Sequence, residues 1–166
     1  MAAVNLVRDV DKGYRELLAR MNDLTKRPRG VFVGVRSKDG AEVEPGQSYN
    51  LAQIAAVNEF GTESQGEPGD IPARPFLRST LDENVERYGR KLIDSSIEHL
   101  TGARPLERGL AELGVVAVSD VRRKITAIRQ PPNAPATIAK KGSSNPLIDT
   151  GRLRASIDYE IRRIRE

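Results

Sequence analysis

Two prolines three residues apart restrict this chain more than any other feature. Pro72 and Pro75 lie in the run I-P-A-R-P-F-L-R-S-T-L over Ile71–Leu81. Each holds φ at about −65° and pushes the residue before it into an extended backbone. The chain must therefore arrive straight and enter a helix directly after Pro75. A first helical turn suits that proline, because its missing N–H has no intrahelical partner to lose. Phe76 and Leu77 are expected to plant the turn in the core, with Arg74 and Arg78 flanking it.

The rest of the pattern builds an α+β domain, a small antiparallel sheet packed against long helices that include a helical hairpin. Apolar residues from Val4 through Val7, Val10, Leu17 and Met21 to Leu24 recur by threes and fours, which predicts a long first helix over residues 3–26. Val31–Val35 is β-branched and apolar and reads as a buried strand. Asp39-Gly40 marks a turn, with a return strand expected over Ala41–Glu44. Leu51–Phe60 reads as a helix with Ile54 and Val57 inward, Phe60 as a further inward candidate, and Gly61 as a left-handed stop.

After the prolines, Leu81, Val85, Tyr88, Leu92, Ile93, Ile97 and Leu100 continue one helical side to a stop at Thr101-Gly102. Pro105 opens the next helix, with Leu106, Leu110, Leu113, Ala117, Val121, Ile125 and Ile128 as its stripe. The short link makes the two helices antiparallel neighbours. Gly109 and Gly114 permit close approach of another backbone. Gln130–Asn145, with three prolines, is expected to lack regular structure and to act as a functional or partner-ordered loop. Ile157, Tyr159 and Ile161 alternate, predicting a final strand that pairs with Val31–Val35.

Composition narrows the chemistry. A chain of 166 residues is one domain by length. It has no cysteine, so it holds neither disulfides nor thiolate metal sites, and its single histidine excludes a His-rich metal site. No apolar run approaches the roughly 20 residues of a membrane span, and the N-terminus lacks a signal peptide's apolar core. A soluble protein made in the cytoplasm is expected. The net charge of +4 suits an anionic partner, but acids are interspersed with the arginines. That pattern falls short of the basic stripe of a dedicated nucleic-acid domain.

Leu147–Gly151, L-I-D-T-G, matches the active-site strand of an aspartic protease, whose chemistry needs two carboxylates sharing a proton. Arg152 stands where a hydroxyl residue usually follows, and 15 residues after the motif are too few for the rest of a lobe. Asp149-Thr150 makes better sense as a cap before a helix over Arg152–Ala155. His99 reads as a surface histidine favoured by a helix C-terminus. No activated serine and no phosphate-cradling glycine loop is present, so no enzyme, cofactor, metal or catalytic residue is expected.

Taken in order, N-E-F-G-T (Asn58–Thr62), a Gly/acid loop, I-P-A-R-P-F-L, a helical hairpin and L-I-D-T-G-R-L-R-A-S-I (Leu147–Ile157) form a recognisable series. It resembles the virion morphogenesis, or tail-completion, proteins of long-tailed bacteriophages, over about Asn50 to Ile157. Each motif alone is common, and their order and spacing carry the likeness. It implies one tail-completion-like domain over residues 1–166, with exposed loops near 62–72 and 130–147. It also implies a structural, non-catalytic ring subunit at the phage neck, sixfold through that likeness alone. The implied partners are further copies of the chain, a head connector or stopper, and a tail terminator or tail tube protein, with passing contact to DNA in the lumen and none with membrane. The protein would work in the host cytoplasm during assembly and then in the virion. Tail terminator and head-closure stopper are the neighbouring readings, and a DNA-binding accessory protein is the alternative of another class. Arg74, Phe76, Arg78, Arg152 and Arg154 are the candidate interface residues. Guanidinium groups form directional pairs with carboxylates on neighbours, and the Glu63–Asp70 and Pro131–Ser144 loops would order on docking.

Overall fold

The computed structural model describes residues 11, 13–35, 40, 41, 43, 49–62 and 70–164. A helix α1 (Tyr14–Lys26) leads into strand β1 (Arg29–Val35), and α2 (Leu51–Phe60) follows. Then come the two long helices α3 (Leu77–Thr101) and α4 (Leu106–Ala127), a short α5 (Pro135–Lys141), α6 (Arg152–Ser156) and strand β2 (Ile157–Arg163). The architecture is α+β, with a two-stranded antiparallel sheet among the described residues.

β1 and β2 pair from Arg29↔Arg163 to Val35↔Ile157. The period-two alternation turns Val31, Val33, Ile157 and Tyr159 toward the helices. α4 lies against this sheet on one side and against α3 on the other, and α1 packs on α3. The hairpin is antiparallel: Ser95 meets Gly109, Lys91 reaches Glu112, and Glu83 pairs with Lys124. Gly102, at φ 77°, ends α3 and donates to the carbonyl of His99.

The main core gathers Leu51 and Ala55 of α2, Phe76, Val121 and Ile125 of α4, and Leu153 and Ile157. A second cluster joins Tyr88, Leu113 and Ala117 under Val31 and Val33. Every residue of the expected α4 stripe is buried except Ile128, which is half-buried. Gly109 admits the close approach of Ser95, backbone Cα as well as side chain, whereas Gly114 admits the side-chain ring of Tyr159.

Several expectations are corrected. The side of α3 expected to face the core does not do so as a whole: Leu81, Val85, Leu92, Ile93 and Ile97 are exposed. Of that side Tyr88 is buried as expected, and the helix otherwise buries Thr80 and Ser95, because the small Gly109 and Ala117 of α4 draw that flank in. Phe60 also points outward. The 130–145 stretch is not without regular structure. Pro135 stands in the first turn of α5, where proline is tolerated, and Gly142 in the left-handed region ends it. Nor are residues 130–147 exposed throughout, since Asn145 and Leu147 are buried. Of the expected return strand over Ala41–Glu44, Ala41 stands in a turn and Val43 forms an isolated bridge with Asn50, while 42 and 44 lie outside the described residues. So do Val4, Val7 and Val10 and the loop at 63–69, and among the described residues the first helix begins only at Tyr14, after Gly13 at φ 93°, not at residue 3 as expected.

Candidate functional site

The end of α2 and the start of α3 form one hydrogen-bonded unit built around Glu59. The first N–H groups of any helix lack intrahelical acceptors, and Phe76 offers no side-chain cap. Glu59, only 3% exposed, supplies the cap from another helix. Its Oε2 accepts from the backbone N–H of Phe76 and Leu77, both at 2.8 Å, and its Oε1 from that of Arg78 at 2.9 Å. A carboxylate at a helix N-terminus also meets the positive end of the helix dipole. Arg78 closes the unit, donating from Nε to Glu59 Oε1 at 3.1 Å and from Nη2 to the Glu59 carbonyl at 2.8 Å. Its guanidinium lies over the ring of Phe60, 4.8 Å from the centroid.

The extended I-P-A-R run is laced to the same helix end. Arg74 N–H donates to the Asn58 carbonyl at 2.7 Å, and Thr62 N–H to the Ile71 carbonyl at 3.0 Å. Ile71 N–H returns to Thr62 Oγ1 at 2.9 Å. Gly61 has φ 77°, and a β-carbon there would stand 2.9 Å from the backbone nitrogen of Ala73. Its positive φ fits the expected stop, although its ψ of −174° carries the chain onward in an extended path.

Arg74 faces inward, 4% exposed. It donates from Nε to the Pro131 carbonyl at 2.7 Å, and from Nη2 to the Pro132 carbonyl at 3.0 Å and Asn133 Oδ1 at 3.3 Å. Burial pulls its pKa below the ordinary arginine value. This guanidinium is the clamp that holds the segment after α4 against the proline run.

The third motif arrives on the same side of α2. Asn145 accepts the Leu147 N–H on Oδ1 at 3.0 Å and donates from Nδ2 to the Thr126 carbonyl at 3.1 Å, fixing the turn that leads in. A cleft of about 220 Å³ opens between the helix and this turn, lined among others by Leu51, Ile54, Asn58, Asp149, Gly151 and Arg152. Asp149 and Thr150 are exposed and neither caps α6, contrary to the sequence reading. The cap position belongs to Gly151 at φ 82°, with no side-chain cap bond. Arg122 of α4 then seats the end of α6, its Nη2 donating to the carbonyls of Ala155 at 3.1 Å and Ile157 at 2.8 Å.

The five candidate interface residues thus part company. Phe76 is wholly enclosed and Arg74 nearly so. Arg78 keeps an exposed face, Arg152 is half-buried and Arg154 is exposed. His99 is not a free surface residue: its side chain is 16% exposed, with Nε2 3.4 Å from Asp23 Oδ2 across the α1–α3 contact. Among the described residues no three His, Asp or Glu side chains gather as a metal site would require. No helix among them is long and apolar enough to cross a membrane. Glu59, Asn145 and Arg122 did not stand out in the sequence. The glutamate of N-E-F-G-T, one turn from a helix stop, was the legible signal for the first, and the Asn-Pro pair for the second.

The chain matches no protein-family model, no curated protein and no solved structure.

Proposed function

We propose that this chain is a structural subunit of the neck of a long-tailed bacteriophage. It completes the head-proximal end of the tail, or joins tail to head, as a member of a ring. The observation that carries the reading is the union of N-E-F-G-T with I-P-A-R-P-F-L-R through Glu59, beside a cleft that L-I-D-T-G-R lines. Those three segments are the ones whose order resembles the tail-completion proteins, and their interlocking gives the residues a shared structural purpose. Rigid corners of this kind suit a part whose work is to hold a shape between neighbours, with no catalysis asked of it.

The partners in this reading are further copies of the chain, a head connector or stopper, and a tail terminator or tail tube protein. Arg78, Arg152 and Arg154 are the candidate contacts that reach the surface. The test is electron microscopy of lysates from a phage or induced prophage carrying an early stop codon in this gene. Full heads beside separate, finished-looking tails are expected. Overlong tails would make it a terminator, and empty heads a stopper. Normal infectious particles would overturn the reading.

A further inference from the structure

We infer that the outer face of α1 and α3 is the contact surface for a second copy of this chain, received in the arginine-lined groove between α4 and α6. Leu81, Val85, Ile93 and Ile97 are each more than half exposed on α3, and α1 beside it buries no residue at all. Single exposed aliphatics are ordinary, but several on one helix, beside the exposed Tyr14, Leu17 and Met21 of α1, mark an interaction site. Charge selects the occupant. Asp82 and Asp94 stand exposed on α3, and neither makes a hydrogen bond or ion pair among the described residues.

The complementary surface lies on the other helix of the hairpin. A groove of about 460 Å³ is lined by Val115, Ser119, Arg122, Arg123, Thr126 and Arg154. Val115 in that lining is exposed, and Arg154 is exposed with no partner among the described residues. Arg123 shares one carboxylate, Asp120, with Arg87, so the groove keeps a positive balance. An apolar face that carries two unpaired carboxylates and a groove lined by Val115, the unpaired Arg154 and the largely exposed Arg123 fit one another. Because the two patches differ, the contact is heterologous and runs head to tail, the kind that closes into a ring when the rotation permits. The inference deepens the ring-subunit reading and rests on it for closure, while the pairing of faces stands on the residues above.

The experiment is sedimentation velocity on the full chain, with circular dichroism confirming that each variant is folded. The wild-type chain is expected to sediment as an oligomer. Asp94→Arg, at a site without internal partners, is expected to shift it toward monomer, and Arg154→Asp added to that variant is expected to restore the oligomer. Ile93→Glu is expected to abolish association without restoration. A wild-type chain that stays monomeric at its highest attainable concentration overturns the inference. So does an oligomer indifferent to Asp94→Arg and Ile93→Glu, which would leave that face to another partner. A monomeric chain whose loss still separates heads from tails sinks this inference alone. An oligomer built on this face, in a phage whose particles do not need the gene, sinks the neck reading alone.

Discussion

Glu59 on α2 caps α3 from outside, its carboxylate 2.8 Å from the backbone nitrogen of Phe76. A side chain from one helix thereby does what the first residues of the next cannot do for themselves. Removing it strands three backbone N–H groups in a buried corner and leaves the Arg78 guanidinium without its carboxylate. Glu59→Ala is expected to lower stability by about 3–5 kcal/mol, because each of the three stranded donors costs about 1–3 kcal/mol. Glu59→Gln, which keeps one acceptor, is expected to cost about 1.5–3 kcal/mol. Arg78→Ala leaves the backbone bonds intact and removes a half-exposed pair, so it is expected to cost no more than about 1 kcal/mol. Urea unfolding of the three variants checks the order.

Much of the fold was legible in the sequence. The alternation of Ile157, Tyr159 and Ile161 announced β2 and its pairing with β1, and the α4 stripe announced the buried face of that helix. Periodicity worked there because a sheet face and a central helix leave the apolar side one place to go. It misled on α3, whose apolar residues extend well beyond the strip that α4 covers. Local composition also hid α5, since three prolines outweighed the one at a tolerated first-turn position. In the candidate site, the motifs were visible but their bonds were not. A tertiary cap such as Glu59, or a clamp such as Arg74 on Pro131 and Pro132, depends on residues brought together only by the folded chain.

Arg74 supplies the second prediction. Three acceptors beyond α4 share its guanidinium, so Arg74→Ala is expected to free the stretch that begins at Arg129. Tryptic cleavage after the exposed Arg129 should quicken on the order of tenfold, as when about 1.4 kcal/mol of local opening free energy is lost. Arg74→Lys is expected to restore little, because a single ammonium does not reproduce a planar fork. Mass spectrometry of the timed digests reads both.

Two helical glycines are expected to respond oppositely to alanine. At Gly114 a β-carbon would meet the Tyr159 ring at 2.2 Å, whereas at Gly89 it would meet nothing within 4 Å. Gly114→Ala forces the ring off α4 and is expected to cost about 1–3 kcal/mol. Gly89→Ala only stiffens the unfolded chain and improves helix propensity, a gain of about 0.8–1.0 kcal/mol. Thermal melts of the two variants should fall on opposite sides of the wild-type midpoint.

Tyr88 makes stability depend on alkaline pH. Burial, and then its bond to Asp120 at 2.8 Å, push the phenol up from 10 to about 12. The folded chain thus favours the neutral phenol more than the unfolded chain does. That contribution is fully present below pH 10 and is lost as pH rises through about 12. Tyr88→Phe removes the dependence, so the gap in stability between wild type and variant is expected to shrink across that window. Urea midpoints at stepped pH values check it, and a phenolate absorbance with its midpoint near 12 should vanish in the variant.

DNA affinity is the last prediction. Contacts to phosphates release counterions, so binding by the Arg122–Arg154 groove would weaken steeply with salt. Weak or no binding to duplex DNA is expected at physiological salt. Tight binding there, measured by fluorescence anisotropy, would favour the DNA-binding accessory reading over the ring subunit.

The register of the sheet has a consequence for how the chain is made. Residues 29–35 pair with residues 157–163, so the earlier strand waits for the later one to leave the ribosome. At about 5–20 residues per second that delay is roughly 6 to 27 s. The α3–α4 hairpin, local in sequence, can dock long before then. Throughout the interval Val31 and Val33 lack the partner strand they have in the fold, which leaves them a target for chaperones and for other nascent chains alike. Synthesis of β2 therefore closes this window, and a product truncated before Ile157 would leave β1 without its partner strand.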